Sequence, residues 1–381
     1  MTAPIKHSFF ELCVKRIFIL IWYLTKAINP KAASKLLYWG IEDQAFLTKA
    51  YQDKILHTRV FGKIIPNPIG VAAGFDKTFA YNDELITLGF GFAEFGTFTY
   101  RKENGTFSAK YLPQEKSLIL DIAGLPNMGL ANLQKQMIDR RRLPHMAGIS
   151  ITSTFEPEDT SASTGKDNDA VFETLEQDLL RCIRTAAPYS DFVVLNLAQP
   201  DLTILNLVHS TAILERILKN CKETILKSAA IHPPKLVVKL PLDLSEPIIP
   251  ILSSTLLAAE VDGVIISSYA KMNIQLSSTH NIKAIVAGKL LAEPAKTQLQ
   301  SFYKHTQGKI TLIASGGVFN ARDAYERIRS GATLIEIHSA LLYEGPSIAA
   351  HINKELAELL RKDGFNSISE AVGKDVLLEN E

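Results

Sequence analysis

Short apolar segments recur along the chain from about residue 60, with helical stretches between most of them. Most are unbroken runs of apolar side chains rather than alternating apolar and polar positions. Unbroken runs are typical of strands that are covered on both faces, as in a parallel sheet. The pattern predicts strands at 69–73, 90–96, 147–151, 192–197, 235–240, 263–268, 310–317 and 333–339.

Eight such strands joined by helices predict an α/β fold of the (β/α)8 TIM-barrel type. A doubly wound open sheet is the alternative. We divide the chain into a hydrophobic helical region, residues 1–50, and a barrel, residues 51–381. The polar, low-complexity segment 156–169 is interpreted as a mobile loop or lid rather than a domain linker.

The amino-terminal segment Phe9–Ile28 is dense in large apolar side chains, but its longest uncharged apolar run, residues 17–24, is short. A helix that spans a bilayer needs about 20 apolar residues. With Lys15, Arg16 and Lys26 at its margins, this helix could lie on a membrane surface or pack on the protein's own core. We expect a peripheral membrane protein on the cytoplasmic face; a cleaved signal peptide is disfavoured because no small-x-small pattern follows.

Composition and charge exclude several classes. A hydrophobic content of 46% argues against disorder, and 41 basic against 40 acidic residues leave no overall charge to attract nucleic acid. The cysteines Cys13, Cys182 and Cys221 form neither a disulfide framework nor a metal-spaced pair. No metal site is predicted.

Two loops indicate a phosphate-bearing ligand. "SGGV" at 315–318 closes the seventh predicted strand and "HSAL" at 338–341 closes the eighth. In TIM barrels the loops after these strands commonly hold a phosphate, because glycines let backbone N–H groups approach the anion. A single Gly-Gly pair could equally be a tight turn, and His338 could either reach the phosphate or fill space.

Two lysines stand at the carboxyl ends of predicted strands. Lys77 follows the first strand, and Lys239 lies within the apolar run "LVVKLPL" of the fifth. Either could be a solvated loop residue, but a lysine that faces into a barrel needs a partner. We favour a functional Lys239, which could stabilise negative charge that develops on a bound cofactor.

Several segments of the chain resemble those of a known family. They are "NPIGVAAGFDK", "LGFGFAEFGTFT", "VVKLPLDLS", "DGVII", "SGGVFNARDAYERIRSGATLIEIHSALLYEGP" and "KELAELLRKDGFNSISEAVGKD". Together they resemble the dihydroorotate dehydrogenases, and the hydrophobic amino-terminal helices resemble those of the membrane-associated, quinone-dependent class. The resemblance covers nearly the whole chain.

The resemblance implies an FMN-containing barrel of pyrimidine biosynthesis, in which dihydroorotate gives hydride to the flavin and a membrane quinone reoxidises it. Carried over by position, Lys77 would contact flavin and substrate, Asn196 would hydrogen-bond in the site, and Lys239 would stabilise the reduced ring. The other implied FMN contacts are Ala72, Ala73, Gly74, Thr97, Ser267, Gly288, Gly316, Gly317, His338 and Ser339.

The substrate half of the family pattern is altered. In the family, a serine or cysteine of the strand-four loop is the base that removes a substrate proton, and here that position is Gln199. An amide cannot accept a proton at accessible pH. Asp201 could titrate, but the loop would have to change for it to reach the same carbon.

Three further family segments depart from the pattern, at 126–132, 148–150 and 267–269, and each loses polar groups that would hold orotate. Each lost contact to a buried substrate costs about 1–3 kcal/mol. Three hypotheses follow: a dihydroorotate dehydrogenase with a divergent site, a flavoprotein oxidoreductase for another substrate, or a non-catalytic relative that binds FMN, a membrane or a protein partner.

Overall fold

The computed structural model describes residues 9–42, 46, 50–79, 81–139, 145–153, 168–198, 207–229, 231–266, 269–277 and 280–378. The strands are β1 (Thr58–Val60), β2 (Lys63–Ile65), β3 (Ile69–Val71), β4 (Phe92–Phe98), β5 (Glu103–Leu112), β6 (Ser117–Asn127), β7 (Met146–Ile151), β8 (Phe192–Asn196), β9 (Lys235–Leu240), β10 (Gly263–Ile266), β11 (Tyr269–Ser277), β12 (His280–Gly288), β13 (Thr311–Ser315) and β14 (Leu334–Ile337). The helices are α1 (Phe9–Ile28), α2 (Pro30–Glu42), α3 (Asn82–Thr87), α4 (Leu130–Asp139), α5 (Asn168–Ala186), α6 (Thr211–Ser228), α7 (Ile248–Ala258), α8 (Ala292–Thr306), α9 (Ala321–Arg329), α10 (Ser339–Glu344), α11 (Ile348–Lys362) and α12 (Lys374–Leu378).

A closed barrel of parallel strands forms the centre of the protein, in the order β10-β13-β14-β3-β4-β7-β8-β9. Each of its strands falls on one of the predicted apolar segments. The (β/α)8 TIM-barrel prediction is therefore confirmed, and the open doubly wound sheet is excluded because the first and last strands pair, with Ile335 of β14 opposite Ile69 of β3.

An apolar layer fills the half of the barrel interior at the amino ends of the strands, where Phe92, Phe192 and other large side chains pack. Glycine makes room for them: a Cβ on Gly70 would lie 2.4 Å from the Phe92 ring, and one on Gly148 would lie 2.1 Å from the Phe192 ring. Because side chains on a strand alternate between its two faces, the residues two positions further along face the same interior. That next layer, near the carboxyl ends, is polar.

A second, antiparallel sheet in the order β11-β12-β6-β5 was not predicted. Its strand β11 begins at Tyr269, soon after barrel strand β10 ends at Ile266. The barrel strands were predicted from unbroken apolar runs, whereas the strands of this sheet alternate: Phe107, Ala109 and Tyr111 of β5 are separated by the polar residues Ser108 and Lys110. This sheet covers the barrel near the candidate site.

The two amino-terminal helices pack on each other and on the barrel. Trp22 of α1 is fully buried, and its Nε1 donates to the carbonyl of Ala33 at 2.9 Å. The ring also lies against Gly345, where a Cβ would come within 2.6 Å of it. The outward face of α1 is nonetheless apolar and exposed, with Ile17, Leu20, Ile21, Leu24 and Ile28. No helix within the described ranges is long and apolar enough to cross a membrane.

Candidate active site

A cavity of about 640 Å³ lies at the carboxyl ends of the barrel strands. Its walls come from the strand-end loops, from the second sheet through residues such as Phe107 and Leu118, and from α2 through Lys31, Ser34 and Tyr38. The volume is typical of sites for cofactors and small molecules. In TIM barrels the functional groups lie on the loops that follow the strands, so this cavity is the candidate active site.

Most sequence-predicted site residues come together there. The cavity is lined by Ala73, Gly74, Lys77, Thr97, Asn196, Lys239, Gly288, Gly316, Gly317, His338 and Ser339. Ala72 does not line it; this residue is fully buried behind the wall and donates its N–H to the carbonyl of Ile337 at 3.1 Å. Gln199, Ser267 and Asp201 lie outside the described residues, as does nearly all of the predicted lid.

Three buried charged side chains lie together at the floor of the cavity: Lys239 and Glu336 line it, and Glu94 contacts Lys239 from behind. Lys239 Nζ donates to Glu94 Oε2 at 2.7 Å and lies 3.7 Å from Glu336 Oε2. The backbone N–H of Ala73 donates to the same Glu94 oxygen at 2.8 Å. Burial alone lowers the pKa of Lys239, but Glu94 and Glu336 outweigh it and raise that pKa. Lys239 therefore faces the interior as an ammonium ion.

The surroundings of Glu336 favour the neutral form of its side chain, whereas those of Lys239 favour the charged form. Burial, and then the nearby charge of Glu94, raise the pKa of Glu336 well above its usual value, while Lys239 acts in the other direction. Among the described residues, neither oxygen of this carboxyl group accepts a hydrogen bond, and neither does Oε1 of Glu94. We define Glu94, Lys239 and Glu336 as the floor triad.

Asn196, at the end of β8, anchors the wall beside the triad. Its Nδ2 donates to Thr97 Oγ1 at 2.8 Å, and its Oδ1 accepts the N–H of Ala198 at 3.0 Å. The Thr97 hydroxyl in turn lies 3.0 Å from the hydroxyl of Ser150. Both ends of the amide are therefore used, and Ser150, one of the positions that depart from the family pattern, belongs to this network.

Lys77 is presented by a well-ordered turn after β3. The carboxylate of Asp76 accepts the N–H groups of Thr78 at 2.8 Å and Tyr81 at 2.9 Å, and these bonds shape the turn. Lys77 Nζ lies 5.4 Å from the centre of the Phe107 ring, a cation–π distance. Burial lowers the pKa of Lys77, and Glu103 partly offsets this.

His338 lies at the other side of the cavity and meets Phe75 edge to face, with ring centres 5.9 Å apart. Burial, together with the positive charges of Lys77 and Lys239, lowers the pKa of His338 to about 4. The imidazole is therefore neutral at neutral pH. It can donate one hydrogen bond to a ligand, but it does not offer a positive charge.

An aromatic wall extends the cavity towards the amino-terminal helices. Tyr38 of α2 stacks on Phe75 with ring centres 4.7 Å apart, and Ser34 of α2 shares a hydrogen bond with the Tyr111 hydroxyl. Tyr269 closes another side, where its hydroxyl donates to the carbonyl of Ala198 at 2.9 Å. Sequence reasoning missed this wall, because ordinary apolar periodicity explains such aromatic residues equally well.

Two acidic residues of the floor triad were also missed, although the sequence carried a signal for them. Glu94 and Glu336 interrupt the apolar strand segments "FAEFG" and "LIEIHS". The same argument that singled out Lys239 applies to them, because a charge within a buried strand requires a partner.

A closed barrel with its cavity at the strand ends defines a TIM-barrel enzyme. A model of the dihydroorotate dehydrogenase family matches residues 55–360. The chain is 30% identical over 361 residues to dihydroorotate dehydrogenase (quinone) of Rhodospirillum rubrum, covering 93% of this chain and 94% of that protein. It is also 30% identical to the mitochondrial quinone enzyme of Oryza sativa subsp. japonica, covering 84% of this chain and 72% of that protein.

The fold is shared with DHODH from Eimeria tenella, whose structure in complex with ferulenol superposes with a TM-score of 0.78 at 22% identity, covering 93% of this chain and 98% of that one. The chain belongs to the dihydroorotate dehydrogenase family. It is an oxidoreductase of the quinone-dependent type, as the sequence resemblance predicted.

Proposed function

We propose that this protein is an FMN-dependent dihydroorotate dehydrogenase that oxidises dihydroorotate to orotate and passes the electrons to a membrane quinone. Family membership and the names of the relatives support this reaction. The observation that carries the proposal is the buried ammonium of Lys239 on the floor of a cofactor-sized cavity.

The residues present fit FMN. Lys239 supplies a cation for the ring, and the turn through Gly316 and Gly317, with φ of +89° and +76°, exposes backbone for the phosphate. A Cβ on Gly317 would lie 2.5 Å from the Cα of Ala292, so the wall tolerates no side chain there. When bound, FMN supplies the hydride acceptor. The chain's own part is to hold the ring between Lys239, Thr97 and Asn196.

Lys77 is placed to hold the substrate. A buried, partly desolvated ammonium attracts a carboxylate strongly, because few waters compete for it. A carboxylated substrate such as dihydroorotate would meet this charge in the same cavity as Asn196, whose Oδ1 accepts the N–H of Ala198 in the strand-four loop. With Gln199 at the family base position, proton removal requires another acceptor.

A second candidate is an FMN-dependent oxidoreductase that acts on a different substrate. Ser150 and Tyr269 favour it, because Ser150 places a hydroxyl group where the family pattern has an asparagine, and Tyr269 places a phenol where the pattern has a threonine. The Tyr269 hydroxyl also stays protonated at neutral pH, since burial and the charges of Asp243 and Glu94 raise its pKa. Because that hydroxyl donates its one proton to the carbonyl of Ala198, its oxygen would accept a hydrogen bond from a ligand.

The amino-terminal helices support quinone access from a membrane surface. The cavity reaches α2 at Lys31, Ser34 and Tyr38, and the exposed face of α1 is apolar. We propose that this face rests on the cytoplasmic surface of a membrane, and that quinone enters beside α2. Basic residues near the helices would meet lipid phosphates.

The test is anaerobic reduction of the purified, FMN-loaded protein. Bleaching of the flavin by dihydroorotate, followed by reoxidation with a soluble quinone, is the expected result. A flavin that bleaches only with another substrate would support the second candidate. Protein that takes up no FMN would overturn both.

A further inference from the structure

Within the part of the chain that the structure describes, the floor triad accepts too few hydrogen bonds to satisfy two ionised carboxylates. Glu94 Oε2 accepts from Lys239 and from the N–H of Ala73, which satisfies it. Within the described residues, Glu94 Oε1 and both oxygens of Glu336 accept no hydrogen bond, and all are buried. A buried carboxylate without donors is strongly disfavoured.

A single proton removes this deficit. If Glu336 is a carboxylic acid, its O–H can donate to the vacant Oε1 of Glu94, and its other oxygen faces the ammonium of Lys239 at 3.7 Å. The triad is then electrically neutral, with one ammonium and one carboxylate. Two close carboxyl groups can share one proton, as in aspartic proteases.

We propose that Glu336 is a carboxylic acid in the folded protein, that it shares its proton with Glu94, and that this proton enables the floor of the cavity to hold an anionic ring. Without the proton the triad carries one net negative charge directly below the ligand, which would repel an anion. The consequence for the anionic ring rests on the proposed function, in which FMN is the ligand. The shared proton does not depend on FMN.

The other titratable groups around the triad do not account for the predicted change in ligand affinity with pH, which we therefore assign to the two carboxyl groups. His338 is neutral well below pH 7, because its pKa is lowered to about 4. Tyr269 of β11 stays protonated, since burial raises its pKa. Lys77 lies across the cavity and carries a positive charge that favours an anion, so it does not create the predicted repulsion.

The shared proton is tested on the protein without FMN. Infrared difference spectra between wild type and Glu336→Gln at neutral pH should show the C=O stretch of a protonated carboxylic acid in wild type only. Glu94→Gln should remove the same band although Glu336 is still present, because Glu336 then ionises against Lys239. Glu176→Gln, which removes a buried carboxylate on α5 far from the cavity, is the control and should leave the band intact. Absence of the band in wild type, or its persistence in Glu94→Gln, would overturn the shared proton.

The consequence for the ligand is tested with FMN. The ratio of the affinities for reduced and oxidised FMN should fall in wild type as pH rises through the range in which Glu336 loses its proton, by up to about tenfold per pH unit. Glu336→Gln stays neutral and can donate to Glu94, so its ratio should lack this fall. Parallel profiles for the two proteins would overturn this part. Failure of both proteins to bind FMN would instead contradict the proposed function, and the infrared result would stand by itself.

Discussion

Lys239 and Glu94 form an ion pair at 2.7 Å on the floor of the cavity, with both side chains almost completely buried. They come from β9 and β4, far apart in sequence, and each lies two residues beyond the apolar layer of its strand. The pair is therefore a product of barrel closure. It places the positive charge of Lys239 on the cavity floor, where a cofactor ring can bind next to it. The ammonium stays charged in this buried position because Glu94 is its partner.

Removing Lys239 should destabilise the fold through Glu94. In Lys239→Met the buried carboxylate loses its cation, and breaking such a pair costs about 3–5 kcal/mol. The double variant Lys239→Met, Glu94→Gln removes both charges and should recover much of that loss. Urea unfolding of the three proteins measures this. Equal stability of the single and double variants would show that the pair is not the cause.

Glu336 should make stability depend on pH. Its pKa in the folded protein is raised above the ordinary value of 4.5, so between these values the folded state holds a proton that the unfolded state has lost. By linkage, stability relative to Glu336→Gln is full below about pH 4.5 and is lost as pH rises through the folded pKa. Denaturation midpoints of both proteins across pH provide the measurement, and a stability advantage of wild type over Glu336→Gln that grows as pH rises has the wrong sign for this account.

Gly317→Ala should release FMN, whereas Gly364→Ala should not. Both glycines have positive φ, +76° and +80°, so alanine is strained at each by about 1–2 kcal/mol. A Cβ on Gly317 also meets the backbone of Ala292 at 2.5 Å, while one on Gly364 has no atom within 4 Å. FMN content and melting temperature separate the two effects. Similar FMN retention in both variants would remove the turn at Gly317 from the binding site.

Gln199→Ser should raise turnover of dihydroorotate if the missing base is the main deficiency. A positioned general base contributes about 10²–10⁴-fold, so a partial gain should be visible in steady-state assays. Gln199→Ala changes the same side chain without supplying a hydroxyl and is the matched control. An equal response of the two variants would point to the altered orotate contacts instead.

The exposed face of α1 should bind lipid. Leu20→Ser and Leu24→Ser together should weaken sedimentation with anionic vesicles and change stability by less than about 0.5 kcal/mol each, because both side chains are largely exposed. Ile231→Ser is the control, since Ile231 is 87% exposed but lies away from α1. Unchanged vesicle binding of the double variant would contradict attachment through this face.

The barrel itself was predictable from the chain. Each barrel strand is buried on both faces and therefore reads as an unbroken apolar run, and the glycine-rich end of β13 marks the site edge. The second sheet was not predicted from such runs, because its strands alternate apolar and polar positions, as Ala270, Met272 and Ile274 of β11 do. Its strand order depends on pairing between segments far apart in the chain.

The sequence by itself determined which residues were available: a lysine and two acids within apolar strands, a glycine pair at a strand end, and a glutamine at the position of the family base. Only the tertiary structure decided that Lys239, Glu94 and Glu336 meet. Strand alternation puts each on the interior face, but closure and register set the distances, and those depend on pairing between segments far apart in the chain. The protonation state of each group, and hence its chemistry, follows from the short distances among the three side chains.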